Sequence, residues 1–219
     1  MQGTTGFGLN VLVAPVAALL NPDLVPVPLI LTAVVHTTLL AWSERRNLRI
    51  GEVGWVLVGR IPGVVIGVWV LSVVSQESIQ VVFGVILLLV IGISMYRRGI
   101  PRTPFTLSVA GTIAGITGST VSVGGPPVAL VLANDTSRLR SNLATLQALS
   151  TIMTIAGLWV GGHIARSDIW VSIRLMPALL LGFALSRPLI GHLDRGRTIT
   201  AVYSISAIAA VALLIKGLV

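Results

Sequence analysis

The run Gly118-Ser119-Thr120-Val121-Ser122-Val123-Gly124-Gly125-Pro126-Pro127 gathers glycines, prolines and hydroxyls inside a chain that is 54% hydrophobic. This combination suits anion binding. Gly124 and Gly125 let backbone approach a ligand closely, and Pro126 or Pro127 suits the first turn of a helix, where no N–H is needed. Two half-helices meeting here would aim backbone N–H groups and a positive dipole end at one point. Ser119, Thr120 and Ser122 would add hydroxyl donors. The competing reading is a packing device that lets helices approach each other, as expected of Gly63 and Gly67, Gly111 and Gly115, or Gly157 and Gly161.

Three further residues have charge or proton chemistry inside apolar segments. Arg60 and Arg174 would attract an anion, since intramembrane arginines usually face a partner or a cavity; near segment ends they would instead snorkel to the interface. His36, in Thr32-Ala-Val-Val-His36-Thr37-Thr38, is a candidate proton carrier or a hydrogen-bonded core histidine. His163 and His192 lie near segment ends.

Other chemistries find little support. Ser122-Val-Gly124 resembles half of a nucleophile elbow, but position 120 is threonine where that motif needs glycine. The chain has no cysteine, which excludes disulfides and thiolate chemistry. All seven acidic residues fall in or beside polar loops, which argues against paired-carboxylate catalysis and against a cation as cargo. No enzyme activity, metal or cofactor is expected.

The elements that must position these residues are membrane segments. Only 10% of residues are charged and mean hydropathy is +0.96, against roughly 25% charged in soluble domains. Apolar segments run at about 5–20, 25–42, 53–75, 79–96, 104–133, 143–163, 169–187 and 198–216. Except for the longer 104–133, each is near the roughly 20 residues that one bilayer crossing requires. The chain therefore reads as a single all-α polytopic membrane domain over residues 1–219, with about seven or eight transmembrane segments and the lipid bilayer as its surroundings.

The net charge of +8 does not indicate nucleic acid, because the basic residues sit in short clusters between apolar segments. If 104–133 is a broken hairpin that enters and leaves on one side, loops 43–52, 97–103, 134–141 and 187–197 share a face. That face carries eleven of the Lys/Arg residues, and the opposite face only Arg166 and Lys216. By the positive-inside rule it is cytoplasmic, in a multi-pass protein of the cell inner membrane.

Landmarks also recur. Trp55-Val-Leu-Val-Gly-Arg60-Ile-Pro62 matches Trp170-Val-Ser-Ile-Arg174-Leu-Met-Pro177, with Pro62 and Pro177 read as helix starts. Gly6-Phe7-Gly8 leading to Pro15 matches Gly118 leading to Pro126. Repeat one spans 1–97 and repeat two 104–219, in opposite orientations; an inverted repeat places a substrate site between the halves near the midplane. In this pairing the half-helix preceding the first break would lie before Met1, so either the true start is earlier or that half-helix is absent.

Gln2-Gly3-Thr4-Thr5-Gly6-Phe7-Gly8 running to Ala14-Pro15, followed by an Arg-rich loop, resembles the TauE/SafE family of membrane permeases. So does Ala114-Gly115-Ile-Thr-Gly118 through Gly124-Gly125-Pro126-Pro127, with Arg140 opening the next segment. The resemblance implies two inverted repeats and transport of small sulfur-containing anions such as sulfite, sulfoacetate or related sulfonates. It carries over to Gly6, Gly8 and Pro15 in the first hairpin and to Gly118, Gly124, Gly125, Pro126 and Pro127 in the second. Asn10 stands where the first hairpin often has a further glycine, and is included among the expected substrate-binding residues.

The expectation is a secondary transporter of a small anion, working by alternating access, with a homo-oligomer compatible with that reading. A non-transporting membrane scaffold or subunit, whose glycines only pack helices, is the alternative.

Overall fold

The computed structural model describes residues 10–44, 50–74, 76–95, 100–132, 136–189, 204–212 and 214–215, and their regular structure is helical. The elements are α1 (Asn10–Leu20), a 3-10 turn (Pro22–Leu24), α2 (Val27–Glu44), α3 (Ile50–Val73), α4 (Gln76–Met95), α5 (Pro104–Val121), α6 (Gly125–Leu132), α7 (Thr136–Val160) and α8 (Arg166–Leu189). Residues 204–212 are helical too. Within α3 and α7, Gly51–Val73 and Ser141–Val160 are long and apolar enough to cross a membrane.

Local chemistry sets several boundaries. Thr103 caps α5 in a capping box: its hydroxyl accepts from the Thr106 amide at 3.2 Å, and the Thr106 hydroxyl accepts from the Thr103 amide at 3.0 Å. Pro104 follows at the first helical position, where its missing N–H costs nothing. Gly162 turns the chain out of α7 at φ 72°, and the Asp168 carboxylate accepts from the Ala165 amide at 2.8 Å where α8 begins. The polar stretch expected as a loop at 134–141 is helical from Thr136, because Arg and Leu form helix well without an apolar run.

Glycine decides which helices touch. α3 and α5 form the most extensive pair. A Cβ at Gly59 would meet the Ser108 backbone, one at Gly63 the Thr112 backbone, and one at Gly111 the Val56 carbonyl. The Ser108 hydroxyl donates to the Trp55 carbonyl at 3.2 Å and the Thr112 hydroxyl to Gly59 at 2.8 Å. Numbers rise together along both helices, so α3 and α5 run parallel. On another face of α3, Val64 fills the space over Gly157 and Val68 that over Gly161, so α7 is parallel as well. α2 runs against α7, with Val27 and Ile30 packed on Leu158, and the Ser172 hydroxyl of α8 donates to the Pro28 carbonyl at 3.1 Å.

One end of the bundle collects four chain segments. Arg102, just before α5, lies 3.5 Å from Glu52 of α3 and donates to the Leu132 carbonyl at the end of α6 at 3.1 Å. Asn142 of α7, 2% exposed, donates to Glu52 at 3.3 Å. Segment 104–132 thus begins and ends at the same end of the bundle, as a broken hairpin. At the other end the Ser72 hydroxyl lies 3.0 Å from His163 Nε2. All five tryptophans are exposed: Trp42 and Trp55 toward the Glu52 end, Trp69, Trp159 and Trp170 toward the His163 end. Two such girdles suit two membrane–water interfaces.

Both partners of the Arg102–Glu52 pair are about one-fifth exposed, so water screens it. Glu52→Gln, which keeps an acceptor, is expected to cost about 0.5–1 kcal/mol, read as a small downward shift in thermal unfolding in detergent.

Candidate functional site

The site lies where α5 stops and α6 starts. Ser122 ends α5 in the left-handed region (φ 60°, ψ 17°), and the Ser122 and Val123 amides both donate to the Thr117 carbonyl. Three residues later the chain re-enters helix at Gly125, with Pro126 and Pro127 in its first turn. The break is enclosed: Ser119, Thr120, Val121, Ser122, Val123 and Gly125 through Ala129 are all buried. Around it pack Ala14, Ala17 and Ala18 of α1, Ile91 of α4 and Ala210 of the last described helix.

Into this break points Arg60. It sits ten residues into α3, about 15 Å from its start at 1.5 Å per residue, and is 5% exposed. Its Nη1 donates to the Ala114 carbonyl at 3.0 Å and its Nη2 to the Thr154 hydroxyl at 3.3 Å. Its Nε has no hydrogen-bond partner among the described residues. The guanidinium occupies the cradle between the two breakpoint glycines. A Cβ at Gly118 would stand 2.5 Å from Nη2, and one at Gly124 3.0 Å from Nη1. These glycines are small because an arginine head lies against them.

The chemical consequence concerns charge. Arg60 meets a carbonyl and a hydroxyl, and no carboxylate pairs with it among the described residues. A guanidinium stays protonated in a protein, and an enclosed cation without a counter-charge is costly. Chemically, such an arrangement can accept an anion. The Thr117 hydroxyl, on the α5 face that carries Ala114 and Val121, is also buried without a partner among the described residues.

Several sequence expectations change here. Ser119 and Thr120 donate to the carbonyls of their own helix, Gly115 at 2.9 Å and Ile116 at 2.8 Å, and Ser122 donates to the Pro26 carbonyl at 3.1 Å. Their protons are spent, as is usual for hydroxyls that bond four residues back in a helix. Pro126 and Pro127 have no N–H, so the start of α6 offers fewer amides than a helix N-terminus ordinarily does. Pro15 lies buried inside α1, five residues past its first residue, and is not a helix-starting counterpart of Pro126. Pro62 and Pro177 are likewise interior to α3 and α8.

Arg60 and Arg174 are not brought together. Arg174 is exposed on α8, because the face of α8 that carries it is not the one laid against α2 through Ser172. His36 is buried on α2, 5% exposed, between Thr32 and Thr37, whose hydroxyls bond back to Pro28 and Ala33. Gly6 and Gly8 lie outside the described residues, as does the side chain of Asn10; its backbone opens α1. Sequence reasoning missed Thr154 and Thr117. The hydroxyls at Ser150, Thr151 and Thr154, buried in a membrane-length helix, were the available signal.

Gly118→Ala is expected to lower function rather than stability. Its Cβ meets the tip of a long side chain, which can retract without moving backbone. Anion flux through reconstituted vesicles should fall about tenfold, the scale on which an interaction worth about 1.4 kcal/mol is lost.

The family model described as Sulfite exporter TauE/SafE matches residues 1–213. No curated protein and no solved structure matches the chain.

Proposed function

The chain belongs to the sulfite exporter TauE/SafE family, and from that premise we propose that it is a secondary transporter moving a small oxidised-sulfur anion across the cell membrane, with Arg60 as its central anion-binding group. Family membership supports a membrane transport role over an enzymatic one. The observation that carries the assignment of the site is the enclosed Arg60 guanidinium, held at a broken helix with its Nε unpartnered and no carboxylate beside it among the described residues.

The reading extends to two inverted halves, residues 1–97 and 104–219, with the Arg-rich loops cytoplasmic. Helix packing supports it. α2 crosses α7 antiparallel; α3 lies parallel to α7, and α8 lies parallel to α2. Exchanging the halves carries one pair onto the other. Such a frame permits alternating access around a central site. Opening at one end would separate Arg102 and Asn142 from Glu52, and at the other end His163 from Ser72. The Asn142–Glu52 and Ser72–His163 contacts join the first half to the second, and Arg60 lies between them along α3.

The test is flux of labelled sulfite and of organosulfonates through proteoliposomes containing the folded chain. Saturable flux that Arg60→Gln removes is the expected result. Absence of flux for every anion offered, with intact protein, would sink the assignment.

A further inference from the structure

We infer that the site takes a singly charged anion and discriminates against doubly charged ones; this rests on the transport reading above and narrows its substrate class. The argument is one of charge balance in an enclosed space. Among the residues whose side chains are described, Arg60 is the one buried side chain of permanent positive charge. Arg102 is paired with Glu52 at the end of the bundle, and Arg166 and Arg174 are exposed. His36, the other buried titratable side chain among the described residues, lies on α2 and carries no permanent charge. The polar groups around the guanidinium are uncharged: the Ala114 carbonyl and the Thr154 hydroxyl.

A monoanion against Arg60 makes a neutral pair, and the Arg60 Nε is a further donor with no partner among the described residues. A dianion leaves one negative charge uncompensated where water cannot solvate it, and such a charge is strongly disfavoured. The amides that a helix start would otherwise offer toward a second charge are removed at Pro126 and Pro127. The Ser119, Thr120 and Ser122 protons already serve carbonyls. Nothing described in the enclosure supplies a second full positive charge. Hydrogensulfite and monosulfonates therefore fit, whereas the sulfite dianion, sulfate and carboxylate-bearing sulfonates do not.

Two probes of nearly equal size test this: isethionate, a hydroxyethyl sulfonate with one charge, and sulfoacetate, in which a carboxylate adds a second. Each is offered in labelled form to proteoliposomes of the full chain at pH 8, where both are fully ionised. The expected result is isethionate uptake at least tenfold faster than sulfoacetate uptake, with Arg60→Gln vesicles moving neither above the protein-free background. Sulfoacetate moving as fast as isethionate or faster overturns the single-charge assignment while leaving anion transport intact. Flux of neither probe, nor of sulfite, overturns the transport reading and this inference with it.

Discussion

Arg60→Gln is expected to abolish anion flux while leaving the folded protein as stable as the parent, or more so. The two effects have separate physical origins. Flux falls because the substrate loses the one enclosed counter-charge among the described side chains; removing one partner of a buried charge pair costs about 3–5 kcal/mol, which corresponds to roughly a hundredfold to several thousandfold. Stability holds because the parent carries a cation that is 5% exposed and is met by a carbonyl and a hydroxyl alone. Glutamine deletes that uncompensated charge and keeps an amide donor for the Ala114 carbonyl. Replacing buried ions with neutral side chains is frequently neutral or stabilising. Flux assays and thermal unfolding in detergent check the two halves independently. A scaffold protein, in which Arg60 served only to tie α3 to α5 and α7, would show the reverse pattern: a lower unfolding temperature with no flux to lose.

The largest stability effect belongs to Gly59→Val. Its Cβ would run into the Ser108 backbone on α5, and backbone cannot retract as a side chain can. α3 and α5 must separate, which breaks the Ser108–Trp55 and Thr112–Gly59 hydrogen bonds together. Overpacking alone costs about 1–3 kcal/mol, so with those bonds the loss should exceed about 3 kcal/mol. It should appear as poor yield of folded protein or a collapsed unfolding temperature. Gly51→Ala is the control: nothing lies within 4 Å of a Cβ there, and in the same helix alanine gains up to about 1 kcal/mol over glycine. Equal stability of Gly59→Val and the parent would refute the close approach of α3 and α5.

The contrast between Gly59 and Gly118 separates two uses of glycine that look identical in sequence. Both are small residues in apolar helices. At Gly59 the missing Cβ admits a neighbouring helix; at Gly118 it admits an arginine head. The expected consequences differ accordingly, stability in one case and flux in the other.

Much of the architecture was legible beforehand, because it depends on composition and spacing. The helical character follows from long apolar runs that satisfy their own backbone. The break between α5 and α6 follows from Gly124, Gly125, Pro126 and Pro127, which no continuous helix accommodates well. The hairpin followed from loop charge, and Arg102 reaching the Leu132 carbonyl shows its two ends together. Family membership, too, was written in the glycine-rich motifs.

Tertiary structure decided what those residues do. Arg60 and Arg174 occupy matched places in the sequence, yet Arg60 is enclosed and Arg174 exposed. The difference arises because α5 and α7 close over α3 through Gly59, Gly63, Gly111 and Gly157, contacts between residues distant in the chain. The hydroxyls beside the break are of a type that donates to ligands, but the helix extends to Val121, and within it Ser119 and Thr120 bond to their own carbonyls. Spacing along one chain determines where a helix forms and where it breaks. Which side chain enters that break, and whether its charge is already answered, depends on neighbours that only folding brings near.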